Sequence, residues 1–153
     1  MKRKGRDTRG DLQRTTDAAR HARTKAYAPY SRYRVGAAIL TRAGRVYSGC
    51  NVENATYGAT LCAERSAIAA MVAAGDLEPV ACVVVTGGRS PGSPCGICRQ
   101  VLSEFARDMK VVLLAEDARG RVAARKTVRL ATLLPLAFRL QGRKTEAAAE
   151  VAE

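Results

Sequence analysis

The sequence predicts a three-layer α/β/α domain around a mixed five-stranded sheet. One observation behind this is the alternation along the chain: helix, two strands, helix, strand, helix, two strands, helix. A second is how the strands connect. Some are joined by tight turns, which demand antiparallel pairing, and others are separated by a whole helix, which permits a parallel crossover. Hairpin pairing is therefore expected at one end of the sheet and crossovers in its middle. The third is size: 153 residues, 47% of them hydrophobic, can bury a core without disulfide staples.

Each element has its own signal. Residues 1–10 read as a basic, disordered extension, 11–140 as the domain, and 141–153 as a disordered tail. Asp11 to Ala26 places Leu12, Thr15, Ala19, Ala22 and Ala26 along one helical face. Pro29 ends that helix, because proline lacks the N–H and restricts the residue before it. Val35 to Thr41 and Arg45 to Asn51 are short apolar runs joined by Arg42-Ala43-Gly44, a hairpin with glycine at the turn. Cys62 to Ala74 is an alanine-rich helix with Gly75 as its stop. Val80 to Thr86 is a buried strand, and Gly87 to Pro94, rich in glycine, serine and proline, is a loop. Gly96 to Arg107 is the next helix. Lys110 to Ala115 and Arg121 to Thr127 are strands around a turn at Glu116 to Gly120. Leu130 to Phe138 reads as a short last helix limited by Pro135.

Composition narrows the class of function. No stretch approaches the roughly eighteen apolar residues of a membrane span. The basic start, Met1 to Arg6, runs into Asp7 and Asp11 with no apolar region behind it, unlike a secretory signal. Five cysteines, three of them in metal spacing, fit a reducing cytoplasm better than a disulfide scaffold. The net charge of +12 raises the question of nucleic acid. Residues 1–34 carry eleven basic and three acidic side chains, 35–118 seven and eight, and 119–153 eight and three. The central segment is close to neutral, and no aromatic residues interleave with the basic tail as a stacking platform, so a nucleic-acid partner is not expected.

That neutral segment holds the chemistry. Cys62-Ala63-Glu64 and Pro94-Cys95-Gly96-Ile97-Cys98 supply three thiolates and one carboxylate. The arrangement matches the zinc nucleobase deaminase signature, with cysteine in its first position. Three protein ligands leave a fourth position for water, as in catalytic zinc sites, whereas structural sites are closed by a fourth ligand. Both clusters fall at predicted helix starts, where free N–H groups and the helix dipole favour thiolates. Cys95 and Cys98 are one helical turn apart, so both sulfurs can reach one ion. Glu64, two residues past Cys62, is aimed away from the sulfur and towards the open position. Three thiolates around Zn²⁺ carry net −1, which Arg65 and Arg99 could offset by hydrogen bonding to sulfur. Cys50 and Cys82 read as packed strand residues, and His21 as a solvated helix residue. Gly87-Gly88 lacks the continuation of a dinucleotide loop.

Taken together, residues 30–138 resemble the cytidine deaminases of the small homotetrameric, zinc-dependent type. The resemblance is carried by Pro29-Tyr30-Ser31-Arg32-Tyr33-Arg34-Val35-Gly36-Ala37-Ala38, by Ser48-Gly49-Cys50-Asn51-Val52-Glu53-Asn54-Ala55-Thr56-Tyr57-Gly58, by the two cysteine clusters, and by Leu133-Leu134-Pro135-Leu136-Ala137-Phe138. It implies one zinc per subunit on Cys62, Cys95 and Cys98, with Glu64 as the catalytic proton carrier and Arg65 beside the ligands. It implies that Asn51 and Glu53 bind the ribose hydroxyls, and that Tyr33, where the family usually has phenylalanine, lies against the base. Ala63 matches the backbone N–H that meets the pyrimidine carbonyl, and Ser93 the carbonyl that accepts from the amino group. Tyr57 and Phe138 match residues that complete a neighbouring subunit's pocket in a homotetramer. The implied reaction is hydrolytic deamination of cytidine and deoxycytidine in cytoplasmic pyrimidine salvage. A polynucleotide would bring phosphates to where Glu53 repels them, so a free nucleoside is the expected substrate.

Overall fold

The computed structural model describes residues 9–140. The expected disordered ends fall on residues 1–8 and 141–153, outside that range, apart from Arg9 and Gly10. These two residues begin the first helix, α1 (Arg9–Thr24). Then come β1 (Gly36–Thr41), β2 (Val46–Cys50), α2 (Ala63–Ala73), β3 (Pro79–Gly87), α3 (Gly96–Phe105), β4 (Lys110–Glu116), β5 (Val122–Arg129) and α4 (Leu130–Leu133).

The sheet order is β2-β1-β3-β4-β5. β3 and β4 are parallel, with α3 as the crossover between them. The other neighbouring pairs are antiparallel. Hairpins therefore close both ends of the sheet, where the sequence led us to expect one. The turns need positive φ, and Gly44 (+79°) and Gly120 (+73°) supply it. At the end of α2, Gly75 (φ +72°) forms the expected stop, and the Asp76 N–H reaches back to the Met71 carbonyl at 3.1 Å.

Alternate strand residues face opposite layers. Ala37, Ile39, Cys82, Val84, Val111 and Leu113 pack under α2, α3 and α4 with Ala67, Met71, Leu102 and Leu130. Ala38, Val83, Val85, Val112 and Leu114 pack with Ala19 of α1. β1, β3 and β4 are covered on both faces, which is why they read as unbroken apolar runs. β5 is an edge strand with Arg125, Lys126 and Arg129 exposed, charges that discourage further pairing.

Two glycines let helices lie flush on the sheet. A Cβ at Gly36 would stand 2.0 Å from the Ala19 carbonyl, and one at Gly49 would stand 2.5 Å from the Ala67 nitrogen. α4 is shorter than expected: it stops at Leu133, two residues before Pro135, because proline disfavours helical backbone in the residue before it. Cys82 is fully buried in the core, consistent with a packing role.

Candidate metal centre and active site

The starts of α2 and α3 converge on one point. Cys62 is the N-cap of α2 and Cys95 the N-cap of α3, and neither uses its side chain to cap its helix. Their sulfurs are 3.8 Å apart. With Cys98, one turn into α3, the three sulfurs lie within 4.8 Å of one another. A Zn–S bond of about 2.3 Å in tetrahedral geometry sets neighbouring sulfurs about 3.8 Å apart, so the set fits zinc. Among the protein groups alone the sulfurs compete for protons. The Cys98 thiol donates to Cys62, which is pushed down to about 5 by that bond first and by Arg65 as well. The same bond, with burial, pushes Cys98 up. Cys98 is buried, Cys62 half-buried and Cys95 exposed, so the cluster is open on one side.

Glu64 lies in the first turn of α2 and is 5% exposed. Burial is the main cause that pushes its carboxyl up, and negative charge on Cys62 adds to it. A carboxyl raised in this way is better matched to general acid–base work than an ordinary solvated one. The Arg65 Nη2 donates to the Thr60 carbonyl at 2.6 Å and lies 3.9 Å from the Cys62 sulfur. Arg99 differs from the sequence reading. Its guanidinium bonds no sulfur and instead donates to Pro94, Ser93 and Leu133.

The residues assigned to the nucleoside divide into two groups. Glu53 lines an open cavity of about 410 Å³ together with Tyr30, Ser31, Asn54, Tyr57 and Thr60. Its carboxylate accepts from the Tyr30 N–H at 2.8 Å, the Ser31 N–H at 3.2 Å and the Ser31 hydroxyl. The hydroxyl bond is the largest cause holding its carboxyl below the ordinary range. Asn51 is buried beside it, but its side chain faces backbone. Oδ1 accepts from the Val35 N–H and Nδ2 donates to the Tyr33 carbonyl, each at 2.8 Å. Tyr33 reaches the loop ahead of Cys95, where a Cβ on Gly92 would lie 2.6 Å from its hydroxyl. Ala63 is buried at the first position of α2, and Ser93 is exposed. Tyr57 and Phe138 are 80% and 69% exposed.

Residues 10–115 match the family model for the cytidine and deoxycytidylate deaminase zinc-binding region. The chain belongs to this deaminase family. A cytidine deaminase of Sporosarcina psychrophila is 41% identical over 128 residues, covering 84% of this chain and 91% of that protein. One of Mycobacterium tuberculosis is 45% identical over 122 residues, covering 80% and 85%. The crystal structure of cytidine deaminase from Burkholderia pseudomallei superposes with a TM-score of 0.73 at 45% identity, over 82% of this chain and 98% of that one. The family is a zinc-binding one, the three-cysteine cluster could hold its ion, and the layered sheet is a deaminase fold. Sequence reasoning missed one residue of the candidate site and misassigned the partners of another. Ser31 holds Glu53 from 22 positions away, and no local spacing announces such a pair. Arg99 was seen, but as a partner of sulfur rather than of backbone.

Proposed function

We propose that this protein is a zinc-dependent cytidine deaminase, converting free cytidine and 2′-deoxycytidine with water to uridine and 2′-deoxyuridine plus ammonia. The observation that carries this is a buried carboxyl, Glu64, two residues from one member of a three-sulfur cluster fit for zinc. Cys62, Cys95 and Cys98 would hold the zinc, which when bound would supply Lewis-acid chemistry that makes water easier to deprotonate. Glu64 takes a proton from the attacking water and delivers it to ring nitrogen N3. It then carries the second proton to the departing amino group at C4, so the proton count closes with ammonia and the 4-oxo product.

The remaining residues hold the nucleoside. The N–H of Ala63, among the orphan donors of the first turn of α2, meets the pyrimidine carbonyl, and the carbonyl of Ser93 accepts from the amino group. Glu53 and the second N–H of the Asn51 amide bind the ribose hydroxyls, while Tyr33 lies against the base. The Arg65 guanidinium offsets the net −1 of three thiolates around a dication. Tyr57 and Phe138 close a neighbouring subunit's pocket in a homotetramer. Among the described residues no helix is long and apolar enough to cross a membrane; we place the enzyme in the cytoplasm, in pyrimidine salvage. The test is a spectrophotometric assay of cytidine conversion with Glu64→Ala alongside. Turnover by the wild type and loss of about 10²–10⁴-fold in a variant that keeps its zinc are expected. A zinc-loaded wild type inert on both nucleosides would refute the substrate. A variant that loses its zinc together with its activity would make Glu64 structural.

A further inference from the structure

We infer that Arg99 is a positioning residue, which sets the loop entering Cys95 through the direction of its donors and not through its charge on the sulfurs. The start of α3 explains the need. Its N-cap, Cys95, makes no side-chain cap bond because its sulfur belongs to the metal cluster. Pro94 has no N–H to tie it back. Arg99 reaches backwards from inside α3 and supplies the missing ties. Its Nε donates to the Pro94 carbonyl at 2.8 Å, and its Nη2 donates to the Ser93 hydroxyl at 3.0 Å. Its backbone N–H donates to the Cys95 carbonyl at 3.0 Å. The Cys95 bond is the ordinary first helical bond that any residue here would make, so the side chain itself holds Ser93 and Pro94, the two positions directly ahead of a zinc ligand.

The third face of the fork points the other way. Nη1 donates to the Leu133 carbonyl at the end of α4, at 2.9 Å. The next residue, Gln100, donates to the Phe138 carbonyl at 2.9 Å. Arg99 thus ties the cysteine loop to the end of α4, and Gln100 beside it holds the segment running on to Phe138. The acceptors decide between charge and geometry. All three are neutral, two carbonyls and a hydroxyl, so a guanidinium is needed here for three donors in fixed directions. A lysine keeps the charge but presents a single flexible point.

The kinetic half of the test rests on the deaminase reading; the metal half does not. Wild type, Arg99→Lys and Arg99→Ala, each loaded with one zinc per chain, are titrated with a chromogenic zinc chelator. kcat and KM for cytidine are measured on the same preparations. Both variants are expected to surrender zinc at about tenfold lower chelator and to lose about tenfold or more in kcat. KM should move by less than about twofold, and lysine should not rescue. Wild-type zinc retention and kcat in Arg99→Lys would show that charge suffices and overturn the inference. If Arg99→Ala does not fold, Arg99→Lys with a matched circular-dichroism spectrum carries the comparison. A wild type that leaves cytidine untouched would sink the proposed function, while the chelator titration would still decide the role of Arg99.

Discussion

Glu53 shows how far a site residue depends on contacts that its own neighbourhood in sequence does not reveal. A carboxylate has about four lone-pair sites. Three acceptances, from the Tyr30 N–H, the Ser31 N–H and the Ser31 hydroxyl, leave little beyond what faces the cavity. Glu53→Gln keeps the shape but turns one acceptor into a donor against a loop that offers donors. The expected result is a KM for cytidine raised about tenfold or more, with kcat changed far less. Steady-state kinetics at fixed zinc content check this, and an unchanged KM would take Glu53 out of the binding wall. That Cys62, Cys95 and Cys98 would come together and that Glu64 would sit next to them was legible in spacings of two and three residues. The ties of Asn51 to the backbone of Tyr33 and Val35 were not legible, since they close only when two distant segments meet.

Among the elements, β1, β3 and β4 were readable because burial on both faces leaves a continuous apolar run, α2 because Gly75 stops it, and α3 because the glycine- and proline-rich loop to Pro94 precedes it. α4 was overread: Leu133 to Phe138 is apolar enough for a helix, yet the restraint of Pro135 on its predecessor outweighs it. The anchoring of α1 was not readable at all. Arg20 and Arg23 both bind Glu116 at the end of β4, at 2.5 and 3.1 Å, across more than ninety positions of sequence. The carboxylate is 7% exposed while the arginines are a quarter to a third exposed, so solvent takes up part of the loss when it is removed. Glu116→Gln is expected to cost about 1–3 kcal/mol, equivalent to a fall in Tm of about 2–4 °C per kcal/mol. Thermal melts at one protein concentration measure it. The Glu116 carboxylate binds Arg20 and Arg23 and none of the three cysteines, so chelator titration should show zinc retention unchanged; loss of zinc would mean that α1 supports the site more directly than these contacts imply.

On the scale of the whole molecule, the homotetramer proposed above would account for a set of exposed apolar side chains. Tyr57, Leu136, Phe138 and Leu140 are 80%, 94%, 69% and 72% exposed, and the charged edge of β5 offers no route to cover them by strand pairing. In that proposed arrangement other copies of the chain would cover these side chains, and Phe138 of one subunit would reach the pocket of another. That arrangement makes a prediction no single subunit can imitate. Glu64→Ala lacks the proton carrier but keeps Phe138; Phe138→Ala keeps the proton carrier but lacks the ring. Each homogeneous protein should be weak or inactive, and hybrids formed by co-expression should regain activity, because a Phe138→Ala subunit then borrows its ring from a Glu64→Ala neighbour. Light scattering should give four chains for both parents and for the hybrid. A fully active monomer, or hybrids no more active than the mixture of parents, would mean that each pocket is closed by its own chain. Phe138 would then have to fold back over its own site, although its backbone carbonyl is already held by Gln100 on α3.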